Sequence, residues 1–342
     1  MRGMILAGGL STRLQPLTND LPKPLVPVLD RPVVGHVIDY LHGFGVDDLV
    51  VNVHYHADAV ERFIGDGSDF GVRMTYLREE TLLGSAGAVK QVEERFQSTF
   101  VVIGCDDVTD VDLTATLGFH RARRAEATIV LHEAEDVTQY GVVITDSEGR
   151  ILDFQEKPAR GTERGKLANT GIYIFEPSVL SRIPAGTFYD FGKQVFPGML
   201  ASEARFFGVR QNAYWCDIGT PSEYRRAHFD ALGGRVKLTP GSGSIVRDGV
   251  LFGRGASVDD SARIEGPACI GASSVVEVGA VIESSILWRG VRVGSGARVS
   301  NAVFADDVVI EAGSVVEGGE YGRGERISTE CTGRPLTGRS NE

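Results

Sequence analysis

The sequence predicts an α/β domain with a parallel-type sheet over residues 1–232, followed by a parallel β-helix of hexapeptide repeats over 245–318 and a polar tail over 319–342. Three observations carry this. In the first two thirds, short apolar runs alternate with mixed segments of helical type. In the last third helix signals vanish and an aliphatic residue recurs every six positions. Between the two lies a stretch rich in glycine and proline, residues 232–243, which reads as a linker.

Met4-Ile5-Leu6-Ala7 opens the chain as a strand that runs into Gly8-Gly9. Residues 32–44 have helical character. Val50-Val51-Asn52-Val53 and Phe100-Val101-Val102-Ile103 are short apolar runs typical of buried parallel strands, with a second helical segment at 86–96 before the latter. Such alternation implies a parallel sheet with helices on both faces. Ligands of such sheets bind beyond the carboxyl ends of the strands, where Gly8-Gly9 and Asp106 both fall.

The six-residue period runs through Val258, Ile264, Ile270, Val276 and Ile282. After a five-residue step it resumes at Leu287, Val293 and Val299, and after another at Phe304, Ile310 and Val316. An aliphatic every six residues with small residues between is the signature of a parallel β-helix, each aliphatic pointing inward from one short strand. Antiparallel hairpins would alternate with period two and need hairpin turn pairs.

Composition is that of a globular chain, with 42% hydrophobic and 24% charged residues. A net charge of −11 argues against general nucleic-acid binding. No apolar stretch approaches the roughly 20 residues of a membrane helix. The chain enters its first strand at once, so neither a leader nor membrane association is expected. Cys105, Cys216, Cys269 and Cys331 match no metal spacing and read as free thiols of a reducing, cytoplasmic compartment.

The chemistry concentrates in the first 28 residues. Gly8-Gly9-Leu10-Ser11-Thr12-Arg13-Leu14 is followed by Pro22-Lys23-Pro24-Leu25-Val26-Pro27. Glycines let backbone N–H groups approach an anion closely. Arg13 adds a fork of donors suited to phosphate oxygens, and Lys23 a compact charge between two restricting prolines. This is a loop for polyphosphate chemistry, yet it matches neither the Walker pattern nor the dinucleotide fingerprint. Asp106 and Asp107 follow a strand; a carboxylate there suits Mg²⁺ beside phosphates, or equally a turn or helix cap.

The whole run resembles the signature of the sugar-1-phosphate nucleotidylyltransferases, Ala-Gly-Gly-x-Gly-Thr-Arg-Leu followed by Pro-Lys-Pro, with Ser11 where that family has glycine. The resemblance implies a Rossmann-like nucleotidyltransferase domain and, from similar hexapeptide-repeat proteins, a left-handed coil behind it. Cys105-Asp106-Asp107-Val108-Thr109-Asp110 resembles the family's Gly-Asp-x-x-x-Asp, with Cys105 in place of glycine. Trp215-Cys216-Asp217-Ile218-Gly219-Thr220-Pro221 resembles its second metal motif. The implied Mg²⁺ ligands are Asp106 and Asp217, and the implied catalytic pair is Arg13 and Lys23. Leu6, Ala7, Gly8, Gly9, Ser11 and Thr12 would bind nucleotide, together with Gly84, Ser85 and Gly87 of the base-cradling Leu83-Gly84-Ser85-Ala86-Gly87. Gly141, Glu156, Lys157, Asn169 and Thr170 would bind the sugar phosphate.

The implied reaction joins a nucleoside triphosphate and a sugar 1-phosphate into a nucleotide sugar and pyrophosphate. Glu79, beside Glu80, could accept both N1–H and N2–H of guanine. That leans towards GTP and resembles mannose-1-phosphate guanylyltransferases, although two exposed loop charges would look the same. Glucose-1-phosphate thymidylyl- or uridylyltransferases stay open. Two other classes are weighed. Acyl transfer on the β-helix would need a histidine there, and all seven histidines precede it. A non-catalytic nucleotide-sugar-binding regulatory subunit would be expected to lack Arg13, Lys23, Asp106 or Asp217. The flat faces of a β-helix suit a homo-oligomer.

Overall fold

The computed structural model describes residues 1–328. The chain divides into two compact units, Met1–Gly9 with Val37–Asp217, and Leu10–His36 with the chain from Ile218 onward.

The first unit is built on a nine-stranded sheet. Arg2–Leu6 lies between Asp48–Val53 and Phe100–Gly104, and Arg73–Arg78 extends the sheet beyond Asp48–Val53, all four in parallel register. Here the apolar runs and helical segments of the sequence behave as expected. Beyond Phe100–Gly104 the sheet is mixed rather than parallel. Leu167–Phe175 runs antiparallel to it, and to Ala127–Glu133 on its other side. Gly141–Thr145 and Ile151–Glu156 form an antiparallel pair. The five residues 146–150 that join them are far too few for a crossover helix, which forces the antiparallel pairing.

An aromatic core fixes this half. Phe96 stacks on Phe100 with centroids 4.3 Å apart, Phe175 on Phe191 at 4.9 Å, and Phe196 on Phe206 at 5.1 Å. All six rings are buried. Such stacked pairs add to the area term of burial.

The second unit contains the hairpin of Pro27–Val28 and Arg31–Pro32, the helix Pro221–Leu232, and a coil whose strands fall into three parallel ladders. Phe252, Ile270, Leu287, Phe304 and Tyr321 stack in one ladder. Val258, Val276, Val293, Ile310 and Ile327 form the second, and Ile264, Ile282, Val299 and Val316 the third. Apart from Phe252, Tyr321 and Ile327, these are the repeat positions of the sequence. The coil continues past 318: Glu320–Tyr321 and Arg326–Ile327 are two further strands. The coil therefore extends beyond the boundary expected at 318. Residues 329–342 lie outside the described chain.

At the first five-residue step Ser284 takes φ 44° and at the second Asn301 takes φ 54°, the left-handed corner that Ser273 and Gly290 also make at six-residue steps. The buried Ser285 hydroxyl donates to Glu283 O at 2.7 Å and accepts from Ala302 N at 3.2 Å.

Candidate active site

Two parallel neighbours bring the first pieces together. Leu6 pairs with Gly104, and Cys105 N donates to Leu6 O at 3.0 Å, so the Gly8-Gly9 turn and Asp106 leave adjacent strand ends. Asp107–Thr109 then pairs antiparallel with Trp215–Asp217, setting Asp217 opposite Asp107. Residues far apart in sequence thus meet at one sheet end. Asp107 is only 5% exposed. It accepts from Trp215 Nε1 at 2.8 Å and from Gly104 N at 3.1 Å, so its carboxylate ties the two strands together. Asp110 accepts from Tyr214 N at 2.6 Å. The buried Cys105 fills the family's glycine position from the inside.

Asp106 and Asp217 are both half-buried. Among the described residues no group of three or more His, Cys, Asp or Glu is arranged to hold a metal ion. Two carboxylates and no nitrogen or sulfur donor fit a hard cation that keeps its waters and shares substrate phosphate oxygens. Such a pair would suit a cation shared with a bound nucleotide rather than one held in a complete protein cage.

Beside the glycine turn lies a cavity of about 270 Å³. Leu6, Leu82 and Phe188 give it apolar walls; Gly8, Gly9 and Gly84 give it open backbone; Asn52, Glu79 and Ser85 are its polar groups. Asn52 Oδ1 accepts from Ala7 N at 2.9 Å and its Nδ2 donates to Glu79 Oε2 at 2.6 Å. Glu79 Oε1 accepts from Leu83 N at 3.1 Å. Three segments are thereby stitched into one wall. A Cβ at Gly8 would lie 2.7 Å from Asn52 Nδ2 and 2.9 Å from Glu79 Oε2, so only glycine lets the turn pass this close.

Glu79 is 5% exposed and Glu80 is exposed. The pair is thus one buried wall residue and one solvent charge. The sequence reading missed Asn52, Leu82 and Phe188. The signal for Asn52 was present, as the one polar residue inside Val50-Val51-Asn52-Val53.

Of the residues expected to bind the sugar phosphate, Gly141 pairs with Glu156 across the antiparallel strands. Burial raises the Glu156 carboxyl above its usual range, and Asp190 adds to this while Lys157 opposes it. Hydroxyl donors from a sugar would relieve that cost. Lys157 is exposed, at φ 41°, with its N–H on Tyr140 O at 3.1 Å. Asn169 donates to Tyr173 Oη at 2.9 Å and accepts from Gly171 N at 3.1 Å. Thr170 departs from its expected role: it is 3% exposed and its hydroxyl donates to Val130 O at 2.9 Å. It holds the irregular pairing between Asn169 and Tyr173 instead.

Ser11, Thr12, Arg13 and Lys23 belong to the second unit. Arg13 is exposed in the short 3₁₀ turn Thr12–Leu14, and Lys23 is half-buried in the turn Lys23–Leu25. Ser11 adopts φ 55° and ψ 33°, a left-handed conformation that glycine takes without cost. Its carbonyl accepts from Thr18 Oγ1 at 2.8 Å, which helps to hold the turn.

The chain is 37% identical over 332 residues to a UTP–glucose-1-phosphate uridylyltransferase of Synechocystis, covering 87% of this chain and 86% of that one. It is 32% identical to a mannose-1-phosphate guanylyltransferase of Mycobacterium tuberculosis, over 86% of this chain and 81% of the relative. A crystal structure of a putative glucose-1-phosphate thymidylyltransferase from Bacillus anthracis superposes with a TM-score of 0.63 at 25% identity, over 71% of this chain and 98% of the other. The profile of the nucleotidyl transferase family matches residues 2–233. The chain is a member of that nucleotidyl transferase family, whose curated relatives here are sugar-phosphate nucleotidyltransferases.

Proposed function

We propose that this enzyme transfers a nucleotidyl group from GTP to mannose 1-phosphate, giving a nucleotide sugar and pyrophosphate. The observation that carries the reaction class is the pairing of Trp215–Asp217 with Asp107–Thr109 at the sheet end where Gly8-Gly9 and Asp106 emerge. A sugar-phosphate oxygen attacks the α-phosphorus of the triphosphate, the bond to the β-phosphate oxygen breaks, and pyrophosphate departs. The attacking oxygen is already anionic near neutral pH, so no general base is required. The protein's work is positioning and charge neutralisation.

Asp106 and Asp217 would hold Mg²⁺, which when bound supplies positive charge to offset the repulsion between two phosphates. Arg13 donates to the departing pyrophosphate, and Lys23 neutralises charge around the α-phosphate. Backbone N–H groups of the 7–12 turn receive the triphosphate. Glu156, Lys157, Asn169 and Gly141 take the sugar phosphate, the carboxylate accepting from sugar hydroxyls.

The guanine preference draws on Glu79, whose Oε2 lines the base cavity and keeps acceptor capacity beyond its bond to Asn52. It also draws on the guanylyltransferases among the relatives. A second reading, UTP with glucose 1-phosphate, is favoured by the 37% identity to the Synechocystis uridylyltransferase and by the engagement of both Glu79 oxygens with protein donors.

Pyrophosphate release from a matrix of five nucleoside triphosphates against several sugar 1-phosphates decides between them. The expected maximum is GTP with mannose 1-phosphate; a maximum at UTP with glucose 1-phosphate establishes the second reading. Arg13→Ala should lower turnover on the order of 10²-fold with an unchanged melting temperature, and near-normal turnover would remove Arg13 from its role. The coil faces are proposed as contacts between copies, which light scattering of the intact chain tests.

A further inference from the structure

We propose that Phe188 is the aromatic wall against which the nucleobase stacks, and that residues 187–191 exist to hold it there. This rests on the nucleotide reading of the cavity and deepens it. Phe188 is 54% exposed, and it lines the cavity that also takes in Gly8, Gly9 and Glu79. Single exposed apolar residues are ordinary and ask for no explanation. The other large exposed apolar residues among those described, such as Leu152, Ile245 and Val278, line no part of this cavity. Phe188 differs in lying in this cavity and in adjoining a densely bonded segment.

Tyr189 N donates to Leu83 O at 2.8 Å, and Ala86 N and Gly87 N both donate to Tyr189 O at 3.0 Å. Ser85 Oγ donates to Asp190 Oδ2 at 2.8 Å and accepts from Phe191 N at 3.0 Å. The buried Phe191 anchors the segment from behind, in the aromatic core. Phe188 thus directly precedes a stretch, residues 189–191, that main-chain bonds and a core ring hold against the 83–87 loop.

The docking also explains a glycine that the sequence motif attributes to nucleotide contact alone. Gly84 has φ +76°, and a Cβ there would lie 2.6 Å from Tyr189 O and 3.3 Å from Phe188 Cε2. The bare Gly84 backbone is what lets the 188–189 segment close over the base loop. Leu6 and Leu82 add apolar surface to the same cavity. A planar base fits such a slot, and the ring face makes no distinction between bases. Phe188 accordingly supplies affinity, and the choice among bases is left to the polar edge of the cavity.

The test compares Phe188→Ala, Phe188→Leu and Phe188→Tyr with the wild type. Phe188→Ala should raise KM for GTP about tenfold and KM for UTP by a similar factor. The KM for sugar 1-phosphate and kcat should each stay within about threefold of the wild type. Phe188→Tyr should behave as wild type, and Phe188→Leu should resemble Phe188→Ala, because area without a ring face is not enough. An unchanged KM for nucleotide in Phe188→Ala overturns the proposal, as does an equal rise in both substrates' KM. Should the wild type release no pyrophosphate with any nucleotide, the functional reading falls separately. Calorimetric titration of GTP into wild type and Phe188→Ala then reads the wall alone, and equal affinities, or binding to neither, overturn it.

Discussion

Asp106, Asp107 and Asp217 show how neighbouring carboxylates acquire different work from their surroundings. Asp107 is buried and accepts from an indole and a backbone N–H. An amide at this position can accept from Trp215, but its NH₂ group then confronts Gly104 N–H. Asp107→Asn should lower stability by about 1–3 kcal/mol while leaving the Mg²⁺ requirement as it was. Asp217→Asn, at a half-buried position, should do the reverse. Turnover should drop on the order of 10²-fold with a urea midpoint close to the wild type. Urea titration together with a Mg²⁺ titration of turnover checks both, and matching phenotypes would show that the division of labour is wrong. The sequence displayed these residues but not their division, because adjacent aspartates look alike until their hydrogen-bond partners are known. The same holds for Glu79. Its partner Asn52 is 27 residues away along the chain, so its burial could not be read from the Glu79-Glu80 pair. Phe188 and Asp190 belong to no motif and gain meaning only where their segment docks on Leu83–Gly87.

Elements with a local period were legible and those made by long-range pairing were not. Each hexapeptide apolar residue meets its equivalent one coil away, so the ladder is written in a fixed spacing, and it was missed only at its two ends, at Phe252 and at Tyr321 and Ile327. The antiparallel half of the main sheet has no such local sign. The helix Pro221–Leu232 shows a third case, in which a polar cluster sits inside the second unit. Its Tyr224 hydroxyl donates to Pro27 O at 2.6 Å and accepts from Trp288 Nε1 at 2.8 Å. His228 contacts the same carbonyl through Nε2 at 2.9 Å, and Cys269 Sγ through Nδ1 at 3.2 Å. A carbonyl only accepts, so Nε2 carries the proton and Nδ1 receives the thiol's S–H. Burial pushes the His228 pKa down to about 4, since a charged ring here would lose its hydration. The folded state therefore binds fewer protons than the unfolded state between the ordinary histidine value of about 6.5 and about 4. Its contribution to stability is complete above pH 6.5 and is lost as pH falls through that interval. The gap in urea midpoint between wild type and His228→Gln should be widest near pH 7.5 and should narrow steadily towards pH 4.5. A gap that does not change with pH would show that His228 has no part in the acid sensitivity of this unit.

For the whole molecule the governing fact is charge. Acidic residues outnumber basic ones 46 to 35, and both proposed substrates are anions. Field steering over the surface is therefore unhelpful, and attraction must be short-range, from Arg13, Lys23, backbone N–H groups and a cation. Two carboxylates are a weak trap for Mg²⁺ in isolation, because the ion gives up water reluctantly and most of its coordination would have to come from phosphates. Metal and nucleotide should consequently stabilise the fold together and hardly at all apart. Mg²⁺ alone should shift the melting temperature by less than about 1 °C, whereas Mg²⁺ with GTP at about 100 times its dissociation constant should shift it by about 5 °C. GTP with a chelator should recover only the part due to the turn and the base cavity. In Asp217→Asn the increment from adding Mg²⁺ to the GTP complex should vanish while the metal-free increment remains. Differential scanning fluorimetry of the four combinations measures this directly. A full shift from Mg²⁺ alone would mean that the protein holds the ion through ligands other than these two aspartates, and the proposed sharing of the cation with substrate phosphates would fail.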